Sequence, residues 1–257
     1  MHYIGIDIGS TASKVAVFCH EDLVETFMIP TGWSSVKTAE EIKDHLESKN
    51  YVENSYIVAT GYGRVSVPYA DKTVTEITCH GKGANYIINK DCTVIDIGGQ
   101  DTKIITIKNG KVTSFTMNDK CAAGTGRFLE MMANTLGLDL MEMSKLSKDG
   151  SGISISSMCT VFAESEVISL IGSGEKRENI AFAVIESISG KVNSLCQKHG
   201  RDENYFLSGG LSENTYLIDS LAKKLGKNVE TSKLGRYAGA IGAAIVAKET
   251  SDKLNWD

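Results

Sequence analysis

The segment GIDIGSTASKVAVF, residues 5–18, returns as VIDIGGQDTKIITI, residues 94–107, about 89 residues further on. A chain that repeats a strand, an Asp-x-Gly turn and a second strand is committed to two similar halves, since each copy must bury its own apolar face. In register, Asp7 falls over Asp96, Gly9 over Gly98 and Lys14 over Lys103. Each copy reads as a hairpin, and the Asn-Gly pair at 109–110 adds a further strand to the second. Helical spacing predicts helices over 35–50, 73–89, 126–137, 160–174, 212–226 and 235–249, and a long one from about Asn179 to His199. Short strands are expected at YIVAT, NYFL and around Val229. The fold class is therefore α/β, with two similar lobes facing across a cleft. Residues 1–88 plus 236–257 form the first lobe and 89–235 the second, the last helix returning to the first.

The 257 residues, 42% hydrophobic and 23% charged, fit one large or two modest packed domains. A formal charge of −5 offers no basic stripe for nucleic acid or an anionic membrane surface. The opening MHYIGIDIGS has no signal-peptide pattern, and no apolar run approaches the roughly 20 residues that span a bilayer, so a cytoplasmic protein is expected. With 25 glycines and 2 prolines, the connections are turns rather than stiff linkers.

One Asp-x-Gly turn is ordinary turn chemistry. Two in register, followed by CAAGTG and by FLSGG, point to nucleotide phosphates. Backbone amides at Gly9, Ser10, Thr11, Gly98 and Gly99 can hold phosphate oxygens, with the hydroxyls of Ser10 and Thr11. Asp7 and Asp96 are the candidate ligands of a hydrated Mg²⁺, which favours one or two carboxylates and keeps its waters. Gly124, Thr125 and Gly126 read as a further phosphate loop, and Ser208, Gly209 and Gly210 as a place where a base and ribose lie against backbone. Lys14 either neutralises phosphate or faces solvent. Gln100 and Asp101 are the candidates for orienting the attacking water. AGAIGAA at 238–244 reads first as a helix packed closely through small residues, with Gly239 as an alternative nucleotide contact. This order of motifs resembles the actin, sugar kinase and Hsp70 ATPase superfamily, which implies actin-like (ribonuclease H-like) lobes binding ATP or ADP with magnesium.

Cys19, Cys79, Cys92, Cys121, Cys159 and Cys196 form no C-x-x-C pair, which argues against a zinc ribbon or a ferredoxin-type run. Cys121 and Cys159 each precede a helix, where the positive end of the dipole favours thiolate. The other four read as packed apolar residues. Two thiols cannot complete a four-thiolate site, but a two-fold dimer supplies four. A redox-sensing pair within one chain is the competing reading. Glu164 and Glu166 read first as a solvated helical face, with an acidic rim that orients a partner as the alternative, and Arg127 as either support for the cysteine or a helix start.

GIDIGSTASK, ATGYGR, VIDIGGQDTK, MNDKCAAGTGRFLE and SSMCTVFAESEVISL closely resemble the ATP-dependent activators of 2-hydroxyacyl-CoA dehydratases, relatives of the benzoyl-CoA reductase ATPase subunits. The resemblance spans nearly the whole chain. It implies a homodimer with one [4Fe–4S] cluster held by Cys121 and Cys159 of each subunit. It further implies ATP-driven one-electron transfer into a 2-hydroxyacyl-CoA dehydratase or related CoA-thioester reductase, with ferredoxin or flavodoxin as electron donor. The rivals are a small-molecule kinase of the same superfamily and a nucleotide-gated sensor. A kinase needs a substrate-binding lobe for which the chain has little spare length.

Overall fold

A computed structural model describes residues 1–157 and 159–254. The chain divides into two compact units, the first made of residues Met1–Asp91, Ile105–Ser114 and the chain from Leu234 on, the second of Cys92–Ile104 and Phe115–Lys233.

The first unit is built on a sheet of order β3-β2-β1-β4-β5. Its strands are β1 (His2–Ile8), β2 (Ala12–Cys19), β3 (Asp22–Pro30), β4 (Ser55–Thr60) and β5 (Lys72–Thr73). Strand β1 runs antiparallel to β2 and parallel to β4, so it is central and buried on both faces. Ile4, Ile6 and Ile8 pack with Ile42 and Leu46 of α1 (Ser35–Ser48), whose N-cap is Ser34. Tyr3, on the opposite face, joins Cys79 of α2 (Glu76–Ile88) and Ile241 and Ala244 of α8 (Ala238–Leu254). Helix α8 lies so close that a side chain on Gly5 would run into the Ala240 carbonyl, and one on Gly242 into that of Cys79. The AGAIGAA stripe is thus a backbone-to-backbone packing device, as its small residues suggest.

The second sheet, of order β10-β9-β6-β7-β8, belongs to the second unit apart from residues 105–108 of β7 and 111–114 of β8, which are assigned to the first. These strands are β6 (Cys92–Ile97), β7 (Thr102–Lys108), β8 (Lys111–Asn118), β9 (Tyr205–Gly209) and β10 (Val229–Glu230). Asn109 and Gly110 both take positive φ, 51° and 70°, as the two-residue hairpin turn requires. The helices are α3 (Gly126–Thr135), α4 (Leu140–Leu146), α5 (Thr160–Gly172), α6 (Arg177–His199) and α7 (Thr215–Leu225). Phe128, Met132, Val167, Val184 and Ile188 converge on Ile95, Ile97 and Leu207 of the sheet to form one core.

Both sheets read third, second, first, fourth, fifth within their own half, so the duplication seen in two short segments extends to the whole sheet. Strands β3 and β5 and helix α4 are additions to the elements expected from the sequence, and β5 takes the start of the helix expected over 73–89, which begins at Glu76. Among the described residues, no helix is long and apolar enough to cross a membrane.

Candidate nucleotide and cysteine sites

Asp7 lies one residue from the end of β1, buried, with Thr60 of β4 opposite it in register. Two glycines give its carboxylate room: a side chain on Gly239 would meet Asp7 Oδ2 at 2.5 Å, and Gly61, at φ +86°, approaches Oδ1. His80 Nε2 stands 3.9 Å from Oδ2. The turn that follows is shaped by Thr31, whose hydroxyl donates to the Gly9 carbonyl at 2.8 Å and whose amide donates to that of Thr11 at 3.0 Å. Ser13 Oγ joins the same hydroxyl at 2.8 Å. Ser10 is half-buried and Thr11 exposed, and Lys14 Nζ lies 3.3 Å from where a Gly9 side chain would begin. Lys14 therefore leans over the turn.

The second copy repeats this plan with different partners. Asp96 faces Ser208 in register, and Ser208 Oγ donates to Asp96 Oδ1 at 2.8 Å. Gly209, at φ +87°, follows Ser208 as Gly61 follows Thr60, so β4 and β9 are also copies of one another. A side chain on Gly209 would strike the Ile97 carbonyl at 2.5 Å, while Gly210 is exposed with open space around it. Of the three residues of Ser208-Gly209-Gly210, only Gly210 thus presents open backbone. Lys103 is 2% exposed, with Nζ 2.6 Å from Asp101 Oδ1 and 3.6 Å from Asp96 Oδ2. Asp101 is committed to this buried ion pair, and Gln100 beside it is exposed.

The loop from Cys121 to Thr125 makes its hydrogen bonds within the protein. Gly126 N donates to Gly98 O at 2.8 Å and Arg127 N to Gly99 O at 2.9 Å. Thr102 Oγ1 donates to Gly124 O at 2.6 Å, and both the amide and the hydroxyl of Thr125 donate to Ala122 O. Gly124, Thr125 and Gly126 are all buried. The amides of Thr125 and Gly126 are spent within the protein, and that of Gly126 holds this segment against the Gly98-Gly99 turn. Helix α3 begins at Gly126 with Thr125 as its cap, leaving Cys121 four residues ahead of the cap rather than on it.

Cys159, in contrast, is the N-cap residue of α5. Both Cys121 and Cys159 are exposed, whereas Cys79, Cys92 and Cys196 are buried and Cys19 is half-buried. Burial pushes the thiols of Cys79 and Cys196 up to about 12. Only the two motif cysteines combine exposure with a place beside a helix start. Met158, between Ser157 and Cys159, lies outside the described residues. Helix α5 buries Thr160, Ala163 and Val167 and turns Val161, Phe162, Ile168 and Ile171 outward, Phe162 being 68% exposed.

Glu166 is more than a solvated face. It accepts from the amide of Ser157 at 3.1 Å and from its hydroxyl at 2.8 Å, and from the amide of Ser156 at 3.0 Å. Glu164 accepts from Thr135 Oγ1 at 3.3 Å. Burial works against ionisation of Glu166, but these hydrogen bonds outweigh it and hold its carboxyl below the ordinary range. Glu166 thereby fixes the strand of loop leading to Cys159. Arg127 is exposed and pairs with Glu130 at 3.4 Å.

Sequence reasoning passed over His80, whose only cue is its place in TCHGKGA, and Lys103, which the register of the two copies had aligned with Lys14. Glu166 was seen but misjudged, because a helix face says nothing about the loop folded onto it.

Paired Asp-Gly turns on two sheets of one topology define an actin-like ATPase fold. A ROK family glucokinase from Streptomyces griseus in complex with glucose and AMPPNP shares that fold, at TM-score 0.60 and 16% identity over 97% of this chain and 100% of the other. The chain belongs to the BadF/BadG/BcrA/BcrD ATPase family, whose model matches residues 4–247. It is 40% identical, over 98% of its length and 99% of the relative's, to the (R)-2-hydroxyglutaryl-CoA dehydratase activating ATPase of Acidaminococcus fermentans. The crystal structure of component A of that dehydratase superposes with a TM-score of 0.92 at 39% identity, covering 98% of this chain and 99% of the other. The activator of the 2-hydroxyisocaproyl-CoA dehydratase from Clostridium difficile, with bound ADPNP, matches at 0.91 and 37%, covering 98% of each chain.

Proposed function

We propose that the chain is an ATP-hydrolysing one-electron donor that activates a 2-hydroxyacyl-CoA dehydratase or a related CoA-thioester reductase. In this reading two copies together hold one [4Fe–4S] cluster through Cys121 and Cys159 of each. The donor set fits: two exposed thiols per chain, one capping a helix whose first amides have no side-chain cap. A bound cluster supplies storage for a single electron. The apolar outer face of α5, continuous with Cys159, supports self-association, since an exposed patch of this kind on a compact chain marks an interaction surface.

The observation that carries the reading is the pair of hydrogen bonds from Gly126 and Arg127 to Gly98 and Gly99. Any displacement of the Asp96 turn on nucleotide binding or hydrolysis is passed through backbone to the loop that bears Cys121. Asp7 and Asp96 supply carboxylates for a hydrated magnesium. Ser10, Thr11 and Lys14 receive phosphate, Gly210 offers backbone to the nucleoside, and the exposed Gln100 orients water. Ferredoxin or flavodoxin refills the electron.

Anaerobic reconstitution with iron and sulfide tests this directly. The expected product is a brown dimer with four irons and four sulfides per two chains, an EPR signal on dithionite reduction, and ATP-dependent delivery of one electron to a dehydratase. A cluster that persists in both Cys121→Ser and Cys159→Ser, or a phosphorylated small-molecule acceptor without electron transfer, overturns it.

A further inference from the structure

The long helix α6 presents Lys191 to the cysteine loop. Its Cβ lies 3.4 Å from the position a side chain on Gly124 would take, and its ammonium sits 4.9 Å from the centre of the Phe128 ring. Phe128 is fully buried in the first turn of α3, so the lysine is gripped by the segment that clasps the Gly98-Gly99 turn. Burial lowers the pKa of Lys191, and the charges of Cys121 and Cys159 act in the opposite direction. The stem of Lys191 against Gly124, three residues beyond Cys121, sets one half-buried cation beside the cysteine loop. Lys120 and Arg127, the cations nearest Cys121 in sequence, are exposed and more fully screened.

We infer that Lys191 is a positioning residue for the metal centre: a fixed positive charge that stabilises the added electron of the cluster held by Cys121 and Cys159 and so sets how readily it is reduced. The inference rests on the proposed function and goes beyond it, because ligation by the cysteines requires no such charge. Reduction adds one electron and no proton, so a cation held at fixed distance favours the reduced form, and half-burial limits the screening of its field. Lys191 is seated against the loop that grips the phosphate turn. A shift of that turn on nucleotide binding therefore changes the distance between this charge and the cluster.

The test compares Lys191→Met and Lys191→Arg with wild type. Methionine keeps contact with the Phe128 ring without the charge. In an EPR-monitored titration with dithionite as reductant, Lys191→Met is expected to lower the equilibrium constant for reduction about tenfold, equivalent to 59 mV for one electron. Lys191→Arg should stay near wild type, which a merely structural role does not predict. In cluster-free protein, the rate of alkylation of Cys121 and Cys159 by anionic iodoacetate is divided by that by neutral iodoacetamide. Both reagents attack the same thiolate, so the ratio reads local charge alone, and Lys191→Met should lower it about threefold. Unchanged potential and unchanged ratio in Lys191→Met, with its cluster intact, overturn the inference. Wild-type protein that assembles no cluster overturns the parent reading and the claim on potential with it, while the alkylation ratio still decides whether Lys191 addresses both thiols.

Discussion

The amide of Gly126 donates to the carbonyl of Gly98 at 2.8 Å, joining the start of the helix behind Cys121 to the glycine turn behind Asp96. A Cβ on residue 126 would lie 2.9 Å from that same carbonyl. Gly126→Ala should loosen the clasp while leaving the Asp96 turn in place. ATP hydrolysis is expected within about threefold of wild type, a cost on the order of 1 kcal/mol. Electrons delivered per ATP should fall about tenfold. Parallel assays of phosphate release and dehydratase activation check the split; equal losses in both would mean the clasp does not couple the two sites.

Lys103 is the counter-charge of two buried carboxylates, Asp96 and Asp101. Removing one partner of a buried ion pair strands the other in a poorly solvating interior, at a cost of about 3–5 kcal/mol. Lys103→Met should therefore show a greatly lowered melting temperature. Lys14→Met, at the corresponding half-buried position of the first copy, should keep its melting temperature within a few degrees and lose ATP affinity instead. Thermal unfolding and nucleotide titration of the two variants separate the roles.

Gly239 and Gly210 make a matched pair of controls. An added methyl at 239 falls 2.5 Å from Asp7 Oδ2 and 2.9 Å from His80 Nε2, whereas one at 210 meets nothing within 4 Å. Gly239→Ala should displace the Asp7 carboxylate and reduce ATP turnover at least tenfold with little change in folding. Gly210→Ala should keep the fold and affect nucleotide affinity alone. Steady-state ATPase kinetics at several magnesium concentrations read the difference.

The stability conferred by Glu166 depends on its charge. Its folded pKa is held below the ordinary 4.5 by hydrogen bonds from Ser156 and Ser157 that outweigh its burial, so its contribution is complete above that value and is lost as the pH falls through the lower folded one. Wild type should melt above Glu166→Gln at neutral pH, and the two curves should converge below pH 4.5. Melting curves across pH 3–7 check the convergence.

Much of this was legible beforehand. The repeated Asp-x-Gly hairpins, the Asn109-Gly110 turn and the long periodic helices announce themselves through local patterns that tertiary packing leaves intact. Strand β3 was missed because it is an edge strand, half-exposed along its length, with a register shift opposite Val17 and Phe18 that breaks strict alternation. Helix α4 spans seven residues, too few to show a period, although its Asp139–Glu142 capping box was readable. The correspondence of Thr60-Gly61 with Ser208-Gly209 escaped because a single shared glycine aligns nothing, and the match lies in strand register and positive φ. For CAAGTG the letters show a glycine-rich turn that offers amides, and only the fold shows that neighbouring carbonyls take those of Thr125 and Gly126.

The outer face of α5 should be the place where two copies meet. Val161, Phe162, Ile168 and Ile171 are all exposed, and Phe162 sits three residues beyond Cys159 on the same helix start. A large aromatic at the centre of an interface commonly carries about 2–4 kcal/mol of binding, roughly a thirtyfold to thousandfold change in dissociation constant. Phe162→Asp is expected to shift the reconstituted protein from dimer to monomer and to abolish cluster retention. Its far-ultraviolet circular dichroism should be unaltered, because the side chain contributes nothing to the core. Sedimentation velocity at micromolar concentration, run beside iron analysis, decides it: a Phe162→Asp protein that remains dimeric with its iron in place would show that the cysteines are brought together by some other face.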